Sequence, residues 1–193
     1  MCYADKKIKI IYESSAVIFF LKGVLIMAIR QGRLEEWEGF TGIALVHEGL
    51  KTEAFHTGIK TAFKEMLNLA QELDDFSELK EVYGISVHNI EDGITHYAVI
   101  PVEQKYAHLK EPLEWIEVPA HTYFVAEHIA ETDILESYEE IARAIQQKEY
   151  KPYITANNPV FDPLPFKLEI YAKNGEESAD IEIRIPVVKE LHT

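Results

Sequence analysis

The chain carries the triplet Ile-Pro-Val twice, at residues 100–102 and, 85 residues later, at residues 185–187. A strand-like run, a polar turn and a second strand-like run precede each copy. The turns contain Asp92-Gly93 and Asn174-Gly175, dipeptides that are strong β-hairpin signals between alternating runs. We interpret the repeat as a duplicated unit, which predicts a pseudo-twofold axis and a pocket at the seam between the halves. Coincidence is the alternative, because the triplet is short and β-rich sequences favour it.

The first half of the chain predicts a strand, a helix and a hairpin. Phe40 to His47 is a short apolar run typical of a strand, and Thr52 begins a helix. Apolar residues at spacings of three and four give this helix one apolar face. That face comprises Phe55, Ile59, Phe63, Met66 and Ala70. The hairpin from Tyr83 to Glu103 follows and completes a β-α-β-β unit.

The second half repeats this order. Strand-like runs at residues 115–118 and 122–129 come before a helix, whose start resembles a capping box formed by Asp133 and Glu136. The hairpin from Phe166 to Val188 completes the second unit. The apolar face of the predicted helix comprises Leu135, Tyr138, Ile141, Ala142 and Ile145.

These two units predict one α+β domain, which suits a chain of 193 residues. The units span about residues 37–103 and 113–188. We expect their strands to join into one antiparallel or mixed sheet with both helices on one face, because each helix has a single apolar face to bury.

Residues 1–26 differ in character from the rest of the chain. The stretch from Ala16 to Ile29 is nearly all apolar, but it is too short and too interrupted for a membrane helix. We expect residues 1–26 to be translated upstream sequence with Met27 as the natural start, because Lys22-Gly23-Val24 can be encoded by a bacterial ribosome-binding sequence. The domain would then span residues 27–193. A signal peptide lacking a cleavage site and an extra strand packed on the domain are the alternatives.

The chain has a formal net charge of −14 and a single cysteine, Cys2. A surface this acidic repels phosphate backbones, which argues against direct nucleic-acid binding and favours cationic small molecules. A single cysteine excludes an internal disulfide and a cysteine zinc cluster. The eight histidines show no spacing typical of a metal site. We therefore expect a cytoplasmic protein with no metal, cofactor or membrane contact.

Glu169 stands out because it interrupts the apolar run from Phe166 to Tyr171. Alternation along the strand places Leu168 and Ile170 on one face. If that face meets the helices, Glu169 and Tyr171 point to the opposite side, toward solvent or a cleft. A solvated glutamate on an exposed strand face is the plain alternative.

The repeat also predicts what lies across from Glu169. Aligning the two units by their Ile-Pro-Val ends places Gly84 opposite Glu169 and Ser86 opposite Tyr171. Such small residues would leave space between the halves. A carboxylate in an aromatic-walled space suits a cation, through its charge and through cation–π contact.

Four short motifs, taken in order, resemble the GyrI-like effector-binding domain family. They are Tyr-Gly-Ile at residues 83–85, Ile-Glu-Val-Pro-Ala-His-Thr-Tyr at residues 116–123, Glu-x-Tyr at Glu169 and Tyr171, and Ile-Arg-Ile-Pro-Val at residues 183–187. The resemblance covers about residues 37–188 and implies the same duplicated β-α-β-β fold. It also implies that Glu169 anchors cationic, often aromatic, ligands in a pocket at the junction of the halves, with Tyr171 as a wall.

The resemblance is to the stand-alone form of the family. Transcription activators with this domain also carry a DNA-binding domain, and residues 1–36 contain no plausible recognition helix. The implied function is small-molecule binding in transcription regulation or drug sequestration, which leaves room for a separate regulator protein as partner. Other stand-alone members hydrolyse strained, cyclopropane-bearing electrophiles. Under that alternative Glu169 and Tyr171 would be catalytic, and the sequence does not separate the two functions.

Three further aromatic residues are candidates for the walls of the pocket. They are Trp115, Tyr97 and Tyr123. Each could equally be a residue of the core or of a pocket rim, because aromatic side chains supply large apolar area in all of these places.

Overall fold

The computed structural model of the protein describes residues 20–21, 24–25, 28–50, 58–71, 79–103, 109–155, 160–172 and 181–190. Within these residues it has eleven strands and two helices. In chain order the elements are β1 (Phe20–Leu21), β2 (Val24–Leu25), β3 (Ile29–Trp37), β4 (Phe40–Leu50), α1 (Ile59–Ala70), β5 (Glu81–Ile90), β6 (Gly93–Pro101), β7 (Glu114–Val118), β8 (His121–His128), α2 (Ile134–Gln147), β9 (Tyr150–Pro152), β10 (Phe166–Ala172) and β11 (Ile181–Lys189).

Nine of the strands form one sheet in the order β3-β8-β11-β10-β5-β6-β4-β7, with β9 beside β11. Each pairing between neighbouring strands is antiparallel. The elements β4-α1-β5-β6 form one unit, and β8-α2-β10-β11 form the other. This confirms the predicted pair of β-α-β-β units in a single α+β sheet.

The two units meet where β5 pairs with β10. In addition, the strand that precedes each unit in the chain pairs with the other unit. β3 comes just before β4 in the chain but pairs with β8 of the other unit. Likewise β7 comes just before β8 but pairs with β4. β3 therefore covers the edge of β8, and β7 covers the edge of β4. Without these pairings, both edges would be open for pairing with other chains.

Both helices lie on the same face of the sheet, here named the helix face. α1 packs on a cluster that includes Ile43, Ala98 and Ile100. α2 packs on a cluster that includes Phe124 and Ile183. The alternate residues of the same strands, which include Ala44, Tyr83, Ile85, Val99 and Leu168, form a third cluster on the opposite face, here named the far face. Apolar side chains therefore cover both faces of the central strands.

The start of α2 follows the sequence prediction closely. Asp133 is the N-cap residue, and its carboxylate accepts a hydrogen bond from the backbone N–H of Leu135 at 2.9 Å. Leu135 was predicted on the apolar face of this helix, and that prediction is wrong because its side chain is 53% exposed. Ile134, one turn before the buried Tyr138, packs against the core in its place.

The cap bond gives a measurable prediction for stability. Replacing Asp133 with alanine leaves a backbone N–H of the first turn without its acceptor, so we expect a loss of about 1 kcal/mol in the free energy of unfolding. Urea denaturation followed by circular dichroism measures this loss. Asp133→Asn is the matched control, because asparagine also caps helices and should cost much less. Equal losses in the two variants would contradict a capping role.

Ala28 is held to the domain by hydrogen bonds. The carbonyl oxygen of Ala28 accepts hydrogen bonds from the Ser137 hydroxyl at 3.0 Å and from the Ile129 N–H at 3.1 Å. Of residues 1–26, the structure describes only residues 20–21 and 24–25, which pair as β1 and β2. The hypothesis that Met27 is the natural start therefore concerns a segment that lies largely outside the described residues.

Neither of the two described helices has the length and apolar character needed to cross a lipid bilayer.

Candidate ligand-binding site

Glu169 lies at the seam between the two units. Its cross-strand partner on β5 is Gly84, as the alignment of the repeats predicted. The same offset of 85 residues relates Gly84 to Glu169, so this pair marks where the pseudo-twofold axis passes through the sheet. The prediction that Ser86 faces Tyr171 is wrong. β5 and β10 run antiparallel, so Ser86 pairs with Lys167 instead.

The structure places Glu169 on the helix face, which corrects the orientation considered from the sequence. Leu168 belongs to the cluster on the far face and is fully buried there. Glu169 pairs with Gly84 on one side and with Ile183 on the other, and Ile183 packs beneath α2. Alternation could not choose between the two orientations, because both faces of this strand are covered by apolar residues.

Two tyrosine hydroxyls hold the carboxylate of Glu169. Tyr138 of α2 donates a hydrogen bond to Oε1, and Tyr171 donates one to Oε2. The side chain of Glu169 is only 6% exposed, so these two donors replace the water that it would otherwise bind. Burial raises the pKa of both tyrosines, and the charge of Glu169 raises each pKa further. Both hydroxyls therefore stay protonated and able to donate.

Aromatic rings gather over Gly84 beside this carboxylate. A Cβ atom at Gly84 would lie 3.1 Å from the Cζ of Phe63, 3.2 Å from the Cε2 of Tyr171 and 3.3 Å from the Cε1 of His96. The rings of Phe63 and Tyr171 are 5.1 Å apart at an angle of 65°. The absence of a side chain at Gly84 thus lets three rings approach the strand, and these rings form an aromatic wall next to Glu169.

His96 contributes a buried polar group to the same wall. It is fully buried, and its Nδ1 lies 3.0 Å from the hydroxyl of Ser86. Its Nε2 has no hydrogen-bond partner among the described residues. Burial lowers the pKa of His96 to about 4, with a further contribution from His47, so the imidazole is neutral at pH 7.

The five residues predicted for the site fall into three places. Glu169 and Tyr171 are in direct contact. Tyr97 and Tyr123 lie on the far face, where both line a cavity of about 290 Å³. Trp115 packs against the cluster beneath α1.

Sequence reasoning missed Tyr138, Phe63 and His96 as neighbours of this site. The sequence places Tyr138 and Phe63 on the apolar faces of the two predicted helices and His96 beside a hairpin turn, which predicts no role in the site for any of them. One signal could have found His96. It pairs with Ser86, two residues from Gly84 and on the same face of β5.

Potential metal ligands do not cluster in the described part of the chain. No three histidine, cysteine, aspartate or glutamate side chains come together there in a way that could hold a metal ion. The chemistry that the site can offer is that of a buried carboxylate, two tyrosine hydroxyls and an imidazole.

This architecture, two pseudo-symmetric β-α-β-β units with a carboxylate at the seam, defines an effector-binding domain of the GyrI-like class. A family model described as integron-associated effector binding protein matches residues 33–187. The chain belongs to this family. No curated protein sequence matches it.

Solved structures show the same fold. An integron cassette protein from Vibrio cholerae is 16% identical, with a TM-score of 0.52, 83% of this chain covered and 97% of that one. SAV2435 bound to tetraphenylphosphonium is 14% identical, with a TM-score of 0.58 and coverages of 82% and 94%. A hydrolase from Listeria innocua is 8% identical, with a TM-score of 0.56 and coverages of 82% and 92%. At these identities the matches establish the fold and not a shared ligand or reaction.

Proposed function

We propose that the protein binds cationic aromatic small molecules at the seam between its two units, with Glu169 as the anchor for the positive charge. Tyr171, Phe63 and Tyr138 would supply aromatic contact. The biological role would be drug sensing or sequestration in the cytoplasm, with any effect on transcription passing through a separate DNA-binding regulator. The net charge of −14 supports the proposal that a separate protein binds DNA, because this charge opposes direct binding to nucleic acid.

The observation that carries the proposal is the buried carboxylate of Glu169. Burying an ionised carboxylate is costly unless hydrogen bonds or a counter-charge compensate for it. The two tyrosine hydroxyls supply the hydrogen bonds. The nearby basic side chain of Lys167 is buried on the same strand, and its ammonium group lies within hydrogen-bond distance of Asp162 and His88. A cationic ligand would provide the counter-charge, and rings such as those of Phe63 and Tyr171 attract cations through their π faces.

Family membership supports the same proposal at a coarser level. The family is one of effector-binding proteins, and SAV2435, which shares the fold, has been solved with tetraphenylphosphonium, a bulky aromatic cation. We propose only the same ligand class, bulky aromatic cations, for this chain. The residues that would bind such a ligand are inferred from the geometry around Glu169.

Hydrolysis of a strained electrophile is the second candidate function. It is favoured by the direct contact of Glu169 with two tyrosine hydroxyls, because the carboxylate could take a proton from a water that attacks a ring carbon. The strained carbon–carbon bond would then break, and a neutral tyrosine could donate a proton to the group of the same molecule that receives the electron pair. The hydrolase from Listeria innocua shares the fold. The two functions differ in one observable, since an enzyme returns a changed ligand and a binder returns it intact.

The proposal is tested with two probes of the same shape and opposite charge. Tetraphenylphosphonium and tetraphenylborate each carry four phenyl groups, so isothermal titration with both isolates the effect of charge. We expect saturable binding of the cation and at least tenfold weaker binding of the anion, because the anion would meet the carboxylate of Glu169. Equal affinities, or a preference for the anion, would contradict the proposed function. Mass spectrometry of the recovered ligand then separates a binder from a hydrolase.

A further inference from the structure

A second cavity lies on the far face of the sheet, away from both helices. Its volume is about 290 Å³, near the lower end of the range of roughly 300–1,000 Å³ that is typical of small-molecule sites. Its walls are mainly apolar and come from both units. Its apolar lining includes Ile85, Val87, Tyr97, Ile116, Tyr123 and Phe166.

This cavity is separate from the Glu169 site. Glu169 and Tyr171 are not among the residues that line it. The two sites use alternate residues of the same strands, since Ile85 of β5 faces the cavity and its neighbour Gly84 pairs with Glu169 on the helix face. The thickness of the sheet therefore lies between them, with the buried Leu168 on the far face.

Prolines line the cavity, and apolar side chains are exposed at its mouth. Three prolines line it, at residues 119, 165 and 186, and proline has little backbone freedom to lose when a ligand binds. At the mouth, Tyr153 is 39% exposed, Ile154 is 51% exposed and Val160 is 43% exposed. Large apolar side chains exposed together around a concavity mark a binding surface more often than an inert one.

The polar groups of the cavity offer no buried counter-charge to an ionic ligand. His88 Nε2 lies 2.7 Å from Lys167 Nζ, and that lysine is also 2.8 Å from Asp162 Oδ1, so this group of charges is compensated internally. His121 Nδ1 lies 3.0 Å from the carbonyl oxygen of Thr122. Among the described residues that line the cavity, Glu117 is the one acidic residue, and it is exposed, where water screens its charge.

We propose that this cavity is a second ligand site, specific for an uncharged aromatic molecule of about two rings. The aromatic rings of Tyr97, Tyr123 and Phe166 would contact its faces and edges, and the aliphatic wall would exclude water. A small molecule fits better than a protein segment, because the concavity is lined by several separate stretches of chain and is too small for the contact area that a specific protein partner needs. The site stands independently of the cation-binding function proposed for Glu169.

The test uses 6-propionyl-2-(dimethylamino)naphthalene, an uncharged two-ring probe whose fluorescence shifts to the blue and rises in an apolar environment. We expect saturable binding to the wild-type protein and about tenfold weaker binding to Ile154→Asp, which puts a charge at the apolar mouth. Leu135→Asp is the matched control, because Leu135 is 53% exposed and Ile154 is 51% exposed, but Leu135 lies on α2 outside the cavity. That control, and Glu169→Gln, should bind the probe as the wild type does.

Several outcomes would overturn the assignment. They are the absence of saturable binding, equal affinities in Ile154→Asp and Leu135→Asp, and loss of binding in Glu169→Gln, which would place the probe at the seam instead. Melting temperatures of the variants show whether each one is folded. If Ile154→Asp is unstable, Val160→Asp at the same mouth replaces it, with the same tenfold expectation.

Discussion

The Glu169→Gln variant is expected to bind tetraphenylphosphonium about 1–3 kcal/mol more weakly than the wild type, roughly 5- to 150-fold. Glutamine keeps the shape of the side chain but removes the charge that would pair with the cation. One of the two tyrosine hydroxyls, Tyr138 or Tyr171, can still donate to the amide oxygen while the other turns to accept a hydrogen bond from the amide N–H, so we expect the fold to persist. Isothermal titration of both proteins measures the difference directly.

The control for this variant must change the net charge by the same amount. Glu65→Gln does so on the exposed side of α1, where Glu65 faces solvent. It should bind the cation as the wild type does, apart from a small long-range effect that salt screens. If both variants lose affinity equally, the overall acidity of the protein attracts the cation and Glu169 is not its anchor.

Acidification is expected to destabilise the protein through His96. The folded state holds the pKa of His96 at about 4, whereas an unfolded histidine titrates near 6.5. Between these values the unfolded chain binds a proton that the folded chain does not, so the free energy of unfolding falls as the pH falls. Over that whole interval the loss from this one residue reaches about 3 kcal/mol.

Urea denaturation at several pH values between 7 and 4.5 measures this effect. The wild type should lose stability more steeply than His96→Gln, by up to about 1.4 kcal/mol per pH unit, because glutamine does not titrate. The quantity to compare is the slope with pH, since the substitution can also change stability at pH 7. Parallel slopes in the two proteins would show that His96 is not held neutral by burial.

Local sequence signals predicted much of the fold. The turn at Asp92-Gly93, the repeated Ile-Pro-Val triplets and the apolar stripes of the two helices were enough to predict two β-α-β-β units in one sheet. They could not predict that β3 and β7 pair with the opposite units. Such pairing joins residues distant in sequence, such as Leu34 and Phe124, and no turn between them fixes the register.

The candidate site was harder to predict than the fold. The repeat aligned Glu169 with Gly84 correctly, because a residue pair on the pseudo-twofold axis is its own counterpart. The face that Glu169 occupies could not be predicted, since β10 is covered on both sides. The contact of Tyr138 with Glu169 could not be predicted either. On a helix stripe this tyrosine is indistinguishable from a core residue until the sheet beneath it brings Glu169 within hydrogen-bond distance.

A crystal structure of the protein with tetraphenylarsonium tests the central claim most directly. This cation has nearly the same shape as tetraphenylphosphonium, and its arsenic atom can be located by anomalous scattering. We predict an arsenic peak on the helix face beside the carboxylate of Glu169, with phenyl groups against Phe63 and Tyr171. A peak in the cavity on the far face, with the carboxylate still held only by Tyr138 and Tyr171, would contradict it.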